Sequence, residues 1–80
     1  MKYIISPQQF TLFSQFTLTE GGLIPMNLIQ EGRTPVYLVS MWISSFLFEL
    51  RVGTHGGSGI AMQICRRLFP NARIISAKSA

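Results

Sequence analysis

The chain is poor in the residues that most chemistry relies on: among 80 residues there are one cysteine, one histidine and three acids. A single cysteine, Cys65, excludes an internal disulfide and a cysteine-based zinc site, and it suits a reducing compartment. The lone histidine, His55, stands at no metal-ligand spacing from Cys65. The acids are Glu20, Glu31 and Glu49, so no carboxylate follows residue 49 to orient His55 as a general base beside a serine or Cys65. Catalysis and metal chemistry are therefore not expected. Long apolar runs are short too. Met1 to Pro7 offers too few apolar residues before its proline for a secretory leader, which predicts an intracellular protein of the cytoplasm or an organelle matrix. Thr34 to Phe48 is uncharged, yet it falls short of the roughly 20 residues of a spanning helix and contains Ser40, Ser44 and Ser45. It is expected as a buried core helix, and a membrane partner is not.

What is present is apolar bulk and positive charge. Hydrophobic residues make up 48% of the chain and charged ones only 12%. A chain of this length forms one domain, residues 1–80, and buries only about 60–65% of its unfolded surface. The apolar surplus thus points to surface covered by a neighbouring protein. The charge is unevenly placed. Lys2 and Arg33 face three glutamates in residues 1–50, a net of −1, whereas Arg51, Arg66, Arg67, Arg73 and Lys78 give residues 51–80 a net of +5. Arginine grips phosphate through a planar fork, and a basic half beside a near-neutral one is the footprint of a polyanion partner.

Pattern assigns the elements. A short strand is expected at 2–5. Phe16 and Leu18 alternate with Thr17 and Thr19, which predicts a strand within 10–20, with a helix over 7–16 as the competing reading. Gly21-Gly22 makes a turn, and 23–30 pairs back as a second strand whose Pro25 puts it at a sheet edge or a bulge. Thr34-Pro35 resembles a helix cap and first turn, opening the apolar helix over 34–48. Phe48, Leu50 and Val52 alternate with Glu49 and Arg51 as a strand. A helix over 60–69 carries Gln63, Arg66 and Arg67 on one polar face. A last strand at 72–76 completes a βαβ unit with parallel pairing of its two strands. The class is α/β in the mixed α+β sense: N-terminal β-hairpin, apolar helix, then a βαβ unit around a Gly-rich loop.

That loop, Gly53-Thr54-His55-Gly56-Gly57-Ser58-Gly59, has four glycines in seven residues. Between a strand and a helix start, its amides and the helix dipole favour an anion. It matches neither the Walker nor the dinucleotide spacing. The expected RNA- or phosphate-binding residues are Arg51, Gly53, His55, Gly56, Gly57, Ser58, Gly59, Arg66, Arg67, Arg73 and Lys78. Trp42, Tyr37 and Tyr3 carry rings able to stack on bases, but their apolar neighbours assign them to the core.

Two resemblances follow from these residues. Gln8-Gln9-Phe10-Thr11-Leu12-Phe13 or Phe16-Thr17-Leu18-Thr19-Glu20, then Thr34-Pro35, Leu50-Arg51-Val52-Gly53 through Gly59, Ile64-Cys65-Arg66-Arg67-Leu68 and Arg73-Ile74-Ile75-Ser76 resemble, in the order of their elements, the ribosomal small-subunit protein eleven family. The resemblance implies a ribonucleoprotein subunit that contacts structured, ribosomal-type RNA and neighbouring proteins. The chain departs from it in that Gly59 is followed directly by Ile60 and not by an arginine. Locally, Thr54 to Gly59 with Leu68-Phe69-Pro70-Asn71-Ala72 looks like the late βαβ unit of flavodoxins, which implies FMN or phosphate binding at 54–72. The expected function is non-catalytic RNA binding without a cofactor. The alternatives are a flavodoxin-like remnant, a small inhibitor or assembly module, and a small membrane subunit.

Overall fold

A computed structural model describes residues 4, 6, 8, 15–19, 21–25 and 34–80. Most of the expected strand at 2–5, most of the competing helix over 7–16 and the outer parts of 10–20 and 23–30 lie outside the described residues. The elements are β1 (Phe16–Thr19), β2 (Gly22–Pro25), β3 (Val36–Ile43), β4 (Phe46–Gly53), α1 (Ser58–Leu68) and β5 (Arg73–Ser79). They form a mixed α+β fold: one five-stranded sheet in the order β2-β1-β4-β3-β5, with α1 packed on one face.

The N-terminal hairpin forms as its alternation predicts. β1 and β2 are antiparallel, and the Thr19 hydroxyl donates to the Gly22 carbonyl at 2.8 Å across the turn. β2 is a sheet edge, the one place where the missing N–H of Pro25 leaves no gap in a ladder.

The 34–48 segment is not a helix. It is β3, a two-residue turn and the start of β4, paired antiparallel from Val36↔Gly53 to Ile43↔Phe46. Residues of strand propensity fill β3, where Val36, Tyr37, Val39, Trp42 and Ile43 suit a pleated surface better than a helix. The hairpin closes on Ser44-Ser45, with Ser44 at φ 56. That left-handed residue would ordinarily be glycine, asparagine or aspartate, so the turn carries no signal in the sequence.

Alternation then sorts the two strands. Tyr37, Val39, Met41 and Ile43 of β3 share a face with Phe48, Leu50 and Val52 of β4, and that face meets α1. Leu18 of β1, Ile74 and Ala77 of β5, and Ala61, Cys65 and Phe69 of the helical segment complete the core. Val39, Met41, Leu50, Val52, Ala61, Cys65 and Phe69 are fully buried.

The β4–α1–β5 unit differs from the expected parallel pair. β4 and β5 each run antiparallel to β3, hence parallel to one another, but β3 lies between them. β4 pairs in parallel with β1 instead, through Thr17↔Arg51, Leu18↔Val52 and Thr19↔Gly53. Among the described residues no helix is long and apolar enough to cross a membrane.

Candidate nucleic-acid interface

The glycine loop joins β4 to the start of α1. Thr54 anchors it. This buried residue donates its N–H to the Pro35 carbonyl at 3.0 Å, and its Oγ1 accepts from the Gly56 N–H at 3.1 Å. Sequence reasoning missed Thr54 as a key residue because a threonine in a loop gives no sign of being buried.

Two loop glycines are required by the fold. A Cβ on Gly56 would lie 2.6 Å from Cγ1 and 2.8 Å from Cβ of Ile60, closer than real atoms approach. Gly57, the helix N-cap, sits at φ 88 and ψ −179, a region essentially confined to glycine. Gly53 is packed tightly, its missing Cβ facing Thr34 Cγ2 at 3.2 Å. Gly59 is different. A Cβ there would meet nothing within 4 Å, and its φ is not positive. A glycine inside a helix costs about 0.5–1 kcal/mol against alanine, so the fold does not account for Gly59.

The start of α1 is uncapped by any side chain and has no acid in its first turn. The first intrahelical bond is Ala61 N–H to Gly57 O at 3.1 Å. The amides of Ser58, Gly59 and Ile60 precede it and form the positive end of the helix dipole. His55, Gly56, Ser58 and Gly59 are exposed around them.

The cations do not gather into one cluster. Arg66 and Arg67 are exposed in the last turn of α1, about 12 Å along the axis from the loop amides. There they complement the negative helix end. Arg51, Arg73 and Lys78 belong to the opposite layer, the sheet face turned away from α1. The register sets out that face in three rows across β4, β3 and β5: Leu47–Trp42–Arg73, Glu49–Ser40–Ser76 and Arg51–Leu38–Lys78. Arg51 and Lys78 stand at the loop's end of the sheet, and Arg73 at the β3–β4 turn end. The expected site thus divides into a loop end with His55, Arg51 and Lys78, and a far end with Arg66, Arg67 and Arg73.

Trp42 corrects a second expectation. It is not a core residue but is 39% exposed on the face away from α1, whereas Tyr37 does pack against the core. Tyr3 lies outside the described residues.

The remaining groups offer little reactive chemistry. Burial pushes the Cys65 thiol up to about 12, so it stays protonated and inert at neutral pH. Glu49, the one described acid, sits four residues before Gly53, roughly 13 Å along the strand, too far to support His55. Among the described residues no three potential metal ligands come together. A shallow groove of about 390 Å³ runs along α1, lined by Thr19, Ile60, Gln63, Ile64, Arg67 and Leu68.

No family model matches the chain, and neither the curated proteins nor the solved structures contain a significant match to it.

Proposed function

We propose that the protein is a non-catalytic RNA-binding subunit of a ribosome-like ribonucleoprotein, in the cytoplasm or an organelle matrix, that contacts the phosphate backbone of structured RNA. One observation carries this reading. All five cations of residues 51–80 are exposed, they occupy both layers of the fold, and no acid follows Glu49. A domain embedded in folded RNA meets phosphates on more than one side, and cations on both layers suit that placement better than a single pocket would. The loop adds amide donors at an uncapped helix start, where Gly59 leaves room for a phosphate to approach the backbone. Neighbouring proteins would cover apolar surface such as Phe46 at the β3–β4 turn.

The test is RNA affinity against salt. Each phosphate neutralised adds about 0.7–0.9 to the slope of log affinity against log salt. Joint replacement of Arg66 and Arg67 by alanine should weaken binding to all structured RNAs and flatten the slope by about 1.5. An unchanged slope and affinity would remove this pair from the interface, and a wild-type protein that binds no RNA at low salt would end the reading.

A further inference from the structure

The sheet face away from α1 holds the one tryptophan of the chain in a surrounding that the core does not explain. Trp42 stands directly opposite Leu47 on one side and Arg73 on the other. Paired side chains in such positions have Cβ atoms about 4.5–5.5 Å apart. Two rows further, roughly 13 Å along the strands, Leu38 lies between Arg51 and Lys78. Glu49 in the middle row is the single acid among these nine residues, against three cations. Trp42 is 39% exposed and Leu47 55%. Among the described residues, α1 packs on the other side and no element packs over these three rows. The β1 end is closed, with Thr17 at 2% exposure and the methyls of Thr34, Thr17 and Thr19 crowded over Gly53. Among the described residues the uncovered area of this face is therefore confined to β4, β3 and β5.

We propose that this face is a stacking platform for a single-stranded segment of RNA, with the Trp42 indole as the base-stacking ring and Arg73 and Lys78 as its phosphate contacts. The inference rests on the RNA-binding reading and adds the strand form recognised. Three features favour this occupant. An exposed aromatic ring beside one cation, Arg73, offers a base one π-face and the backbone a positive field. Among the nine residues of these rows the cations outnumber the acid three to one, a balance that complements a polyanion and not a basic or neutral protein surface. An open sheet face suits splayed bases, whereas the bases of a duplex are stacked inside it and present no free faces. Trp42 positions the base, Leu47 extends the apolar floor, and the cations at the two ends of β5 hold the backbone.

Because the chain has a single tryptophan, its fluorescence reports on this face without labelling. The experiment titrates the full chain with a mixed-sequence single-stranded oligoribonucleotide and, separately, with an RNA duplex of equal length. The expected result is saturable quenching of Trp42 emission by the single strand alone. Trp42→Leu should weaken single-strand binding about 5- to 150-fold, the range for one lost base stack, and leave duplex binding within about twofold. Trp42→Phe should retain most of the single-strand affinity. RNA binding with unchanged emission, or equal single-strand affinity in Trp42→Leu, would overturn the platform and leave the RNA-binding reading standing. A concentration-dependent emission shift without RNA would overturn it too, reassigning the face to self-association. Failure of both RNA forms to bind would overturn both readings.

Discussion

Replacing Gly59 by alanine should make this protein more stable, although the residue lies in its most glycine-rich segment. Gly59 is the second residue of α1, its φ is not positive, and an added Cβ meets nothing within 4 Å. The substitution removes backbone freedom from the unfolded chain and adds helix propensity, together about 0.5–1 kcal/mol. For a domain of this size that raises the melting temperature by roughly 2–8 °C. The two glycines just before the helix should respond in the opposite direction, for different reasons. In Gly56→Ala the new methyl would lie 2.8 Å from the Cβ of Ile60. A rotamer change moves Cγ1 and Cγ2 of Ile60 but not its Cβ, so the backbone must shift, at about 1–3 kcal/mol. Gly57→Ala meets no atom, but at φ 88 and ψ −179 it costs about 1–3 kcal/mol in backbone strain alone. Urea denaturation of the three variants separates these effects. A destabilised Gly59→Ala would refute a helix that starts at Ser58, and a neutral Gly57→Ala would refute the loop conformation. Under the RNA-binding reading Gly59→Ala also binds RNA more weakly, because its methyl sits where a phosphate would approach: a more stable protein that binds less well.

Other outcomes follow from the core and the thiol. Phe69→Ala empties a fully buried aromatic site at the end of α1 and should cost about 3–5 kcal/mol, read by chemical denaturation. Thr54→Val keeps the side-chain shape but removes the acceptor for the Gly56 N–H, and should cost about 1 kcal/mol by the same assay. The Cys65 thiol should resist aromatic disulfide reagents at pH 8 until the chain unfolds. Its folded value, about 12, lies above the ordinary 9.0. The unfolded chain therefore ionises first, and stability that is whole below pH 9 should fall by up to about 1.4 kcal/mol per pH unit above it, as denaturation midpoints across pH 8–11 would register. The flavin alternative predicts a yellow protein, and a colourless purified chain that fails to quench added FMN fluorescence would dismiss it.

Much of the fold was legible where alternation and punctuation agreed. Phe16 and Leu18 against Thr17 and Thr19, closed by Gly21-Gly22, gave the first hairpin, and Pro25 gave its edge position. Phe48, Leu50 and Val52 gave β4, and the polar spacing of Gln63, Arg66 and Arg67 gave α1. The largest error was β3. An uncharged run behind Thr34-Pro35 looks like a capped helix, and periodicity cannot separate a helix from a hairpin buried on one side and apolar on both. The deciding feature, a positive φ at Ser44, belongs to a residue type with no turn signature. That error hid part of the candidate site. With 34–48 read as a helix, Trp42 belonged to the core. Only the β3–β5 register puts it beside Arg73. Residue spacing could find the cations but not the layer each occupies, since that depends on which strands become neighbours.

The joint between β1 and β4 bears on how the chain comes together in time. β3 and β4 zip through eight matched pairs from a two-residue turn, whereas β1 meets β4 through only three, and its partners lie 34 positions away in the sequence. Closing so long a loop for so few ladder bonds is entropically unrewarding until the other side is built. The β3–β4 hairpin, α1 and β5 should consolidate first, and the N-terminal hairpin should dock last and release first. The amides of residues 17–19 should then exchange with solvent through a partial opening that leaves those of Val39, Met41 and Leu50 protected.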